Sequence, residues 1–240
     1  MNSTTTKGKL YLIPTTLGEC DPLAVLPFTV KRTIELLDDY IVENEKTARK
    51  FIKSIYPEKI QANLRLFALN KHTKDSEHLG MIQACLAGKN MGLMSEAGCP
   101  GIADPGAVIV KLAHEKGITV VPLVGPSSIT LALMASGMNG QSFAFNGYLP
   151  IDKVEKKSAL KQLERLAQDK NQSQLFIETP YRNNKLVEDL LQCLQPNTFL
   201  CIACDITLPT EYIKTMRIQD WKKVKLDLHN RPTIFILHRM

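Results

Sequence analysis

The chain has 240 residues, 44% of them hydrophobic and 22% charged, proportions that exclude a collagen-like or mostly disordered protein. Thirty basic against 24 acidic side chains give a net charge of +6, a modest excess that permits an anionic partner without requiring one. No stretch approaches the roughly 18 consecutive apolar residues of a membrane helix, and the apolar run in the opening MNSTTTKGKLYLIP is too short for a secretory signal, so the chain reads as cytosolic with no membrane partner.

In chain order, short apolar runs at 10–13, 40–42, 64–69, 91–94 and 118–123 read as buried strands. Between them Val30, Ile34 and Leu37, then Ala48, Phe51, Ile52 and Ile55, then Leu79, Ile82 and Leu86, then Val108 and Leu112 recur at three- and four-residue spacing, each set on one helix face. Strands separated by single helices need crossover connections, which predicts a mainly parallel sheet covered on both sides. The second half opens with an apolar helix at 127–137 and continues with strands at 143–145, 175–177, 199–203 and 233–237 and helices at 157–168 and 185–194. The segment 207–218 follows neither period and is compatible with a hairpin. The expectation is two α/β units joined near 122–126, packed closely because no low-complexity linker separates them.

The six cysteines lie mostly in apolar surroundings and read as reduced core residues. Cys201 and Cys204 form a CxxC within TFLCIAC, but strand alternation sends their sulfurs to opposite faces. His72, His78, His114, His229 and His238 show no HxxxH or mixed Cys/His spacing, so no metal is expected. From 214 to 240 seven basic residues stand against Asp220 and Asp227. Without a Gly/Arg-rich repeat or an aromatic ladder this stretch reads as a solvated face, with a nucleic-acid surface as the alternative.

The most informative run is SEAGCPGIADPG at 95–106, with three glycines and two prolines between a buried strand and a helix. In parallel α/β sheets ligands bind beyond the carboxyl ends of strands, and glycines there let backbone groups approach a ligand. Asp104-Pro105 reads as a helix N-cap followed by proline at the first helical position, a structural role and not a catalytic one. A second bend, Val124-Gly125-Pro126-Ser127-Ser128, again follows a strand and opens a helix. Neighbouring fourth and fifth strands would bring the two bends to one crevice. Neither GxGxxG nor GxxxxGK[ST] occurs, so common dehydrogenases and kinases are disfavoured.

With GKLYLIPTTLG at 8–18, LFAL at 66–69, SEAGCPGIADPG, VVPLVGPSS at 120–128, FAFNGYLP at 143–150 and LFIETPYR at 175–182, the chain resembles the tetrapyrrole methylase-type methyltransferases. Within them it is most similar to the bacterial small-subunit ribosomal RNA ribose 2′-O-methyltransferases. The resemblance implies two α/β domains, the N-terminal sheet mainly parallel and the C-terminal one mixed, with S-adenosylmethionine in the cleft between them, within a homodimer. Residues 8–122 would form the acceptor side and glycine-rich loop, and 123–240 would complete the cofactor site. It further implies that Pro14, Ala97, Gly98, Cys99, Ile102 and Ala103 line the methionine and ribose side, that Ser127 and Ser128 approach the methionine, and that Glu178, Thr179, Pro232 and Thr233 lie on the adenine side.

The ribosomal RNA enzymes carry an EDTR block after the second strand, whereas this chain reads Glu43-Asn44-Glu45-Lys46-Thr47-Ala48-Arg49. ALNKHTK at 68–74 keeps only part of the family's histidine-containing segment. Both departures fall on the acceptor side. Methyl transfer from a sulfonium depends chiefly on alignment, and a ribose hydroxyl would gain from a base. Glu43, Glu45, Glu178 and Glu211 are polar candidates, and none is assigned. Tyr181-Arg182 is read either as a nucleotide-stacking pair or as an ordinary helix-start contact. The expected function is S-adenosylmethionine-dependent methylation of RNA, with rRNA or a ribosomal subunit as the substrate partner. A tetrapyrrole or other small-molecule methyltransferase and a cofactor-binding module without turnover are the alternatives.

Overall fold

A computed structural model describes residues 6–70 and 72–239; Lys71 of ALNKHTK, Met240 and the first five residues lie outside that description. The chain divides into two units, Met1–Ser127 and Ser128–Met240. The first contains, in order, β1 (Lys9–Ile13), α1 (Pro22–Val25), α2 (Phe28–Leu36), β2 (Asp39–Val42), α3 (Glu45–Ile55), β3 (Arg65–Ala68), α4 (Asp75–Met81), α5 (Gln83–Leu86), β4 (Met91–Met94), α6 (Ala107–Glu115) and β5 (Thr119–Pro122). Its strands pair in the order β3-β2-β4-β1-β5, every pair parallel.

Strand alternation divides the apolar side chains between two cores. Tyr40, Val42, Ile13 and Met94 join Val30, Ile34, Ala48 and Ile52 on one face, while Leu10, Ile41, Met91 and Leu93 join Ile82, Ile109 and Ala113 on the other. Both faces of the sheet are therefore covered, as parallel sheets require.

Three expectations are corrected here. β1 lies between β4 and β5, so those two strands are not neighbours. α6 buries Ile109 and Ala113 and leaves Val108 45% exposed, because the 3.6-residue period does not choose among overlapping stripes when Ala107 to Leu112 is almost continuously apolar. The helix expected over Leu79, Ile82 and Leu86 breaks at Ile82 into α4 and α5, and Leu79 remains exposed.

The second unit contains α7 (Ser128–Ser136), β6 (Phe143–Tyr148), α8 (Lys153–Asp169), β7 (Ser173–Ile177), α9 (Asn183–Cys193), β8 (Phe199–Cys204), β9 (Tyr212–Arg217), α10 (Ile218–Trp221) and β10 (Thr233–His238). The sheet order is β6-β7-β10-β8-β9, with β6 parallel to β7 and the remaining pairs antiparallel. Segment 207–218 contributes β9, the second arm of a hairpin with β8. Leu186, Leu190 and Leu194 pack from α9 and the loop after it into a core with Leu160, Leu200, Trp221 and the stacked rings of Phe176 and Phe235. Cys204 enters this core while Cys201 points to the other face, and both thiols are pushed up by burial. Among the described residues no helix is long and apolar enough to cross a membrane.

Candidate functional site

A parallel sheet places the carboxyl ends of its strands along one edge. In the first unit that edge carries the loops after β4, β1 and β5, with the β1 loop in the middle. Hydrogen bonds stitch the three together. The Thr15 amide donates to the Gly98 carbonyl at 2.9 Å, the Ser95 hydroxyl donates to the same oxygen at 3.3 Å, and the Cys99 thiol donates to the Pro126 carbonyl at 3.4 Å. A Cβ on Gly125 would lie 2.2 Å from Pro14 Cγ, and one on Gly98 would lie 3.1 Å from Leu17 Cδ2 and 3.3 Å from the Pro126 carbonyl. The two glycine-bearing bends thus meet around Pro14, although their strands are not adjacent.

The glycine-rich loop itself is held in unusual conformations. Gly98 and Gly101 have φ of 73° and 81°, and Ala103 has φ of 60°, a region that disfavours a side chain. Asp104 closes the loop: its Oδ1 accepts the Gly101 amide at 2.8 Å and the Gly106 amide at 2.7 Å. The sequence placed it as an N-cap with Pro105 at the first helical position. The helix begins later, at Ala107 after Gly106, and Asp104 pins the turn that leads into it. Its Oδ2 is buried without a partner. Ala97, Ile102 and Ala103 are exposed.

Carboxylates gather at this corner. Glu43, just beyond β2, accepts the Glu96 amide at 3.1 Å. Burial pushes its carboxyl up, the hydrogen bond from the Glu96 amide partly offsets this, and the charges of Asp104 and Glu96 add to the rise. Folding therefore raises the pH at which Glu43 ionises, so this residue's contribution to stability falls as pH rises from its unfolded to its folded ionisation range. Glu43→Gln is expected to remove that loss, visible as a shallower decline of melting temperature as pH rises from the ordinary carboxylate value upward. The negative potential, the open glycine cradle and the unpartnered Asp104 oxygen fit a cationic sulfonium nucleoside. Burial pushes the Cys99 thiol up, which disfavours the thiolate a nucleophile would need.

In the second unit Glu178 follows β7 and is 5% exposed. Its Oε1 accepts the Thr179 amide at 2.7 Å and Arg182 Nη2 at 2.8 Å. That engagement leaves Glu178 unsuited to proton transfer. Arg182, stacked on the exposed Tyr181 ring, is likewise committed. Pro232 and Thr233 open β10 beside the end of β8: the Asp205 amide donates to the Pro232 carbonyl at 2.9 Å, and Thr233 pairs with Cys204.

The sequence reading missed the loop that follows Asp205. Asp205 and Thr207 have φ of 49° and 72°, and a β-branched residue there is a true outlier. The conformation is held by Arg231 Nε, which donates to Asp205 Oδ2 at 2.7 Å, by the Thr210 hydroxyl on the same oxygen at 2.9 Å, and by the Thr207 amide on Glu211 Oε2 at 2.7 Å. The Thr207 hydroxyl is buried without a partner. Backbone strain maintained by such a network is characteristic of functional loops. Its one sequence signal was the failure of 207–218 to follow either period.

The family model described as Tetrapyrrole (Corrin/Porphyrin) Methylases matches residues 15–221. The chain belongs to that family. It is an S-adenosylmethionine-dependent methyltransferase. The methylase is 29% identical over 240 residues to the ribosomal RNA small subunit methyltransferase I of Buchnera aphidicola from Schizaphis graminum, covering 99% of this chain and 80% of that one. It is 32% identical over 193 residues to the protein of the same name from Bacillus subtilis, covering 80% and 62%. Among solved structures it is similar in fold to the methyltransferase CobJ, with a TM-score of 0.64 and 14% identity over 97% of this chain and 94% of that one. It is also similar to the uroporphyrin-III C-methyltransferase of Thermus thermophilus complexed with S-adenosylhomocysteine, with a TM-score of 0.56 and 17% identity over 97% and 98%.

The methylase's departure from EDTR has a local explanation. Asn44 caps α3, its Oδ1 accepting the amides of Lys46 at 2.9 Å and Thr47 at 3.3 Å, the service an aspartate would provide there. Asn44→Asp should leave stability unchanged within about 0.5 kcal/mol, whereas Asn44→Ala should cost about 1 kcal/mol by chemical denaturation. Glu45 is exposed in the first turn of α3, where its charge complements the helix dipole. Among the described residues no group of three or more His, Cys, Asp or Glu is placed to hold a metal ion.

Proposed function

We propose that the methylase transfers the methyl group of S-adenosylmethionine to a ribose 2′-oxygen of ribosomal RNA. The observation that carries this reading is the match, over 99% of the chain, to a protein named for small-subunit ribosomal RNA methylation. In the first unit Pro14, Ala97, Gly98, Cys99, Ile102, Ala103 and Ser127 contact the cofactor. In the second, Ser128, Glu178, Thr179, Pro232 and Thr233 do so. Residues 8–122 bear the acceptor side, and 123–240 supply the remaining cofactor contacts.

The cofactor brings an activated methyl group. The chain's task is to hold the acceptor oxygen in line and draw its proton away. Glu43, just beyond β2 and hydrogen-bonded to the Glu96 amide of the glycine-rich loop, is the carboxylate placed to receive that proton. The protein acts in the cytoplasm as a homodimer, a reading supported by exposed apolar side chains on the second unit, Met134, Tyr148, Ile151 and Val154. Mass spectrometry of ribosomal RNA from a deletion strain tests the function: one ribose methyl group present in the parent should be missing. An unchanged methylation pattern would contradict it.

A further inference from the structure

α3 carries two stripes. Ala48, Ile52 and Ile55 pack into the core, while Thr47, Lys50, Phe51 and Ser54, at i, i+3, i+4 and i+7, line a cavity of about 470 Å³ against the loop after β1 and Glu96 of the glycine-rich loop. This volume falls in the range of roughly 300–1,000 Å³ typical of small-ligand sites. Phe51 is half-buried, packed against the core cluster while also lining the cavity. The Thr47 hydroxyl donates to Glu96 Oε1 at 2.6 Å. Lys50 pairs with Glu19 at the rim, both side chains largely exposed at 75% and 89%, so water screens that pair and Lys50 is easily drawn to another anion.

Each group matches one part of a nucleotide. An aromatic ring stacks a base irrespective of sequence, a rim lysine takes a phosphate, and an ionised carboxylate, which only accepts hydrogen bonds, pairs with sugar hydroxyls. We propose that this cavity of the first unit seats one nucleotide of the RNA acceptor, with the base on Phe51, a phosphate at Lys50 and the ribose toward Thr47 and Glu96. The proposal rests on the RNA-methylating reading above and places its acceptor specificity on α3, where the sequence departs from EDTR.

The test uses the full chain, a short fluorescein-labelled single-stranded RNA, small ribosomal subunits from the deletion strain, and S-adenosylhomocysteine as the cofactor probe. Phe51→Leu keeps an apolar side chain in the core contact, Thr47→Val alters an exposed position, and thermal melts confirm folding of both. Phe51→Leu should weaken RNA binding and raise KM for subunits roughly tenfold, within the range known for loss of one stacked base. Thr47→Val should raise KM in the same direction, and Lys50→Glu should lower the salt dependence of RNA binding. S-adenosylhomocysteine affinity should stay unchanged in all three.

Wild-type RNA affinity and KM in the three variants would overturn the proposal, as would loss of S-adenosylhomocysteine affinity with RNA binding intact, or failure of the wild type to bind RNA. Displacement of RNA by a tetrapyrrole precursor would overturn it as well. The two readings fail separately. RNA binding that depends on Phe51 without methylation of rRNA would sustain the cavity and defeat the function, whereas methylation indifferent to all three substitutions would do the reverse.

Discussion

Gly98→Val should abolish measurable binding of S-adenosylhomocysteine in a calorimetric titration. At φ of 73° the left-handed conformation costs an L-residue roughly 1–2 kcal/mol, and β-branching makes valine a poorer occupant than alanine. The added Cβ would stand 3.1 Å from Leu17 and 3.3 Å from the Pro126 carbonyl, so the glycine-rich loop must move away from both. That movement would pull the Gly98 carbonyl from the Thr15 amide and the Ser95 hydroxyl, which hold the loops after β1 and β4 together. A combined cost of about 3 kcal/mol corresponds to more than 100-fold in affinity. Gly98→Ala should fall between, near tenfold. Gly98 lies outside the first unit's two core clusters, so both variants should still melt cooperatively. Full affinity in a folded Gly98→Val protein would remove this loop from the cofactor site.

The largest effect on stability is expected at Trp221, the chain's single tryptophan. Its side chain is 2% exposed, it joins α10 to the core formed with Leu200, Ile218 and Phe235, and its Nε1 donates to the Leu200 carbonyl at 2.9 Å. Trp221→Ala leaves a large cavity and removes that donor, at a cost of about 3–5 kcal/mol. For a chain of this length each kcal/mol shifts the melting temperature by roughly 2–4 °C, so circular dichroism should show a fall of about 6–20 °C. In the wild type, Trp221 emission should report unfolding of the second unit. A fall of less than about 2 °C would mean that Trp221 is not a core residue.

What could be read in the sequence follows the range of the forces concerned. Short apolar runs such as 10–13 and 91–94 declare buried strands because burial is recorded in the residues themselves, and Leu186, Leu190 and Leu194 declare a helix face for the same reason. The glycine-rich loop was visible because its turns draw on glycines at positive φ, Gly98 and Gly101, and on prolines. Strand order was not, since the insertion of β1 between β4 and β5 depends on contacts far apart in sequence. The buried face of α6 was misread because nearly every candidate position is apolar, and only the packed sheet selects Ile109 and Ala113. The strained turn at Asp205 and Thr207 left no glycine to mark it, being held instead by Arg231, 26 positions from Asp205. The cavity beside α3 was hidden because Phe51 fits the apolar stripe that also contains Ile52.

The most direct measurement is to incubate the purified protein with S-adenosylmethionine labelled in its methyl group and small ribosomal subunits from a deletion strain, then digest the RNA to nucleosides. Label recovered in a single 2′-O-methylated nucleoside is the predicted result. Label confined to a small-molecule fraction of a cell extract, with the ribosomal RNA blank, would contradict the assignment.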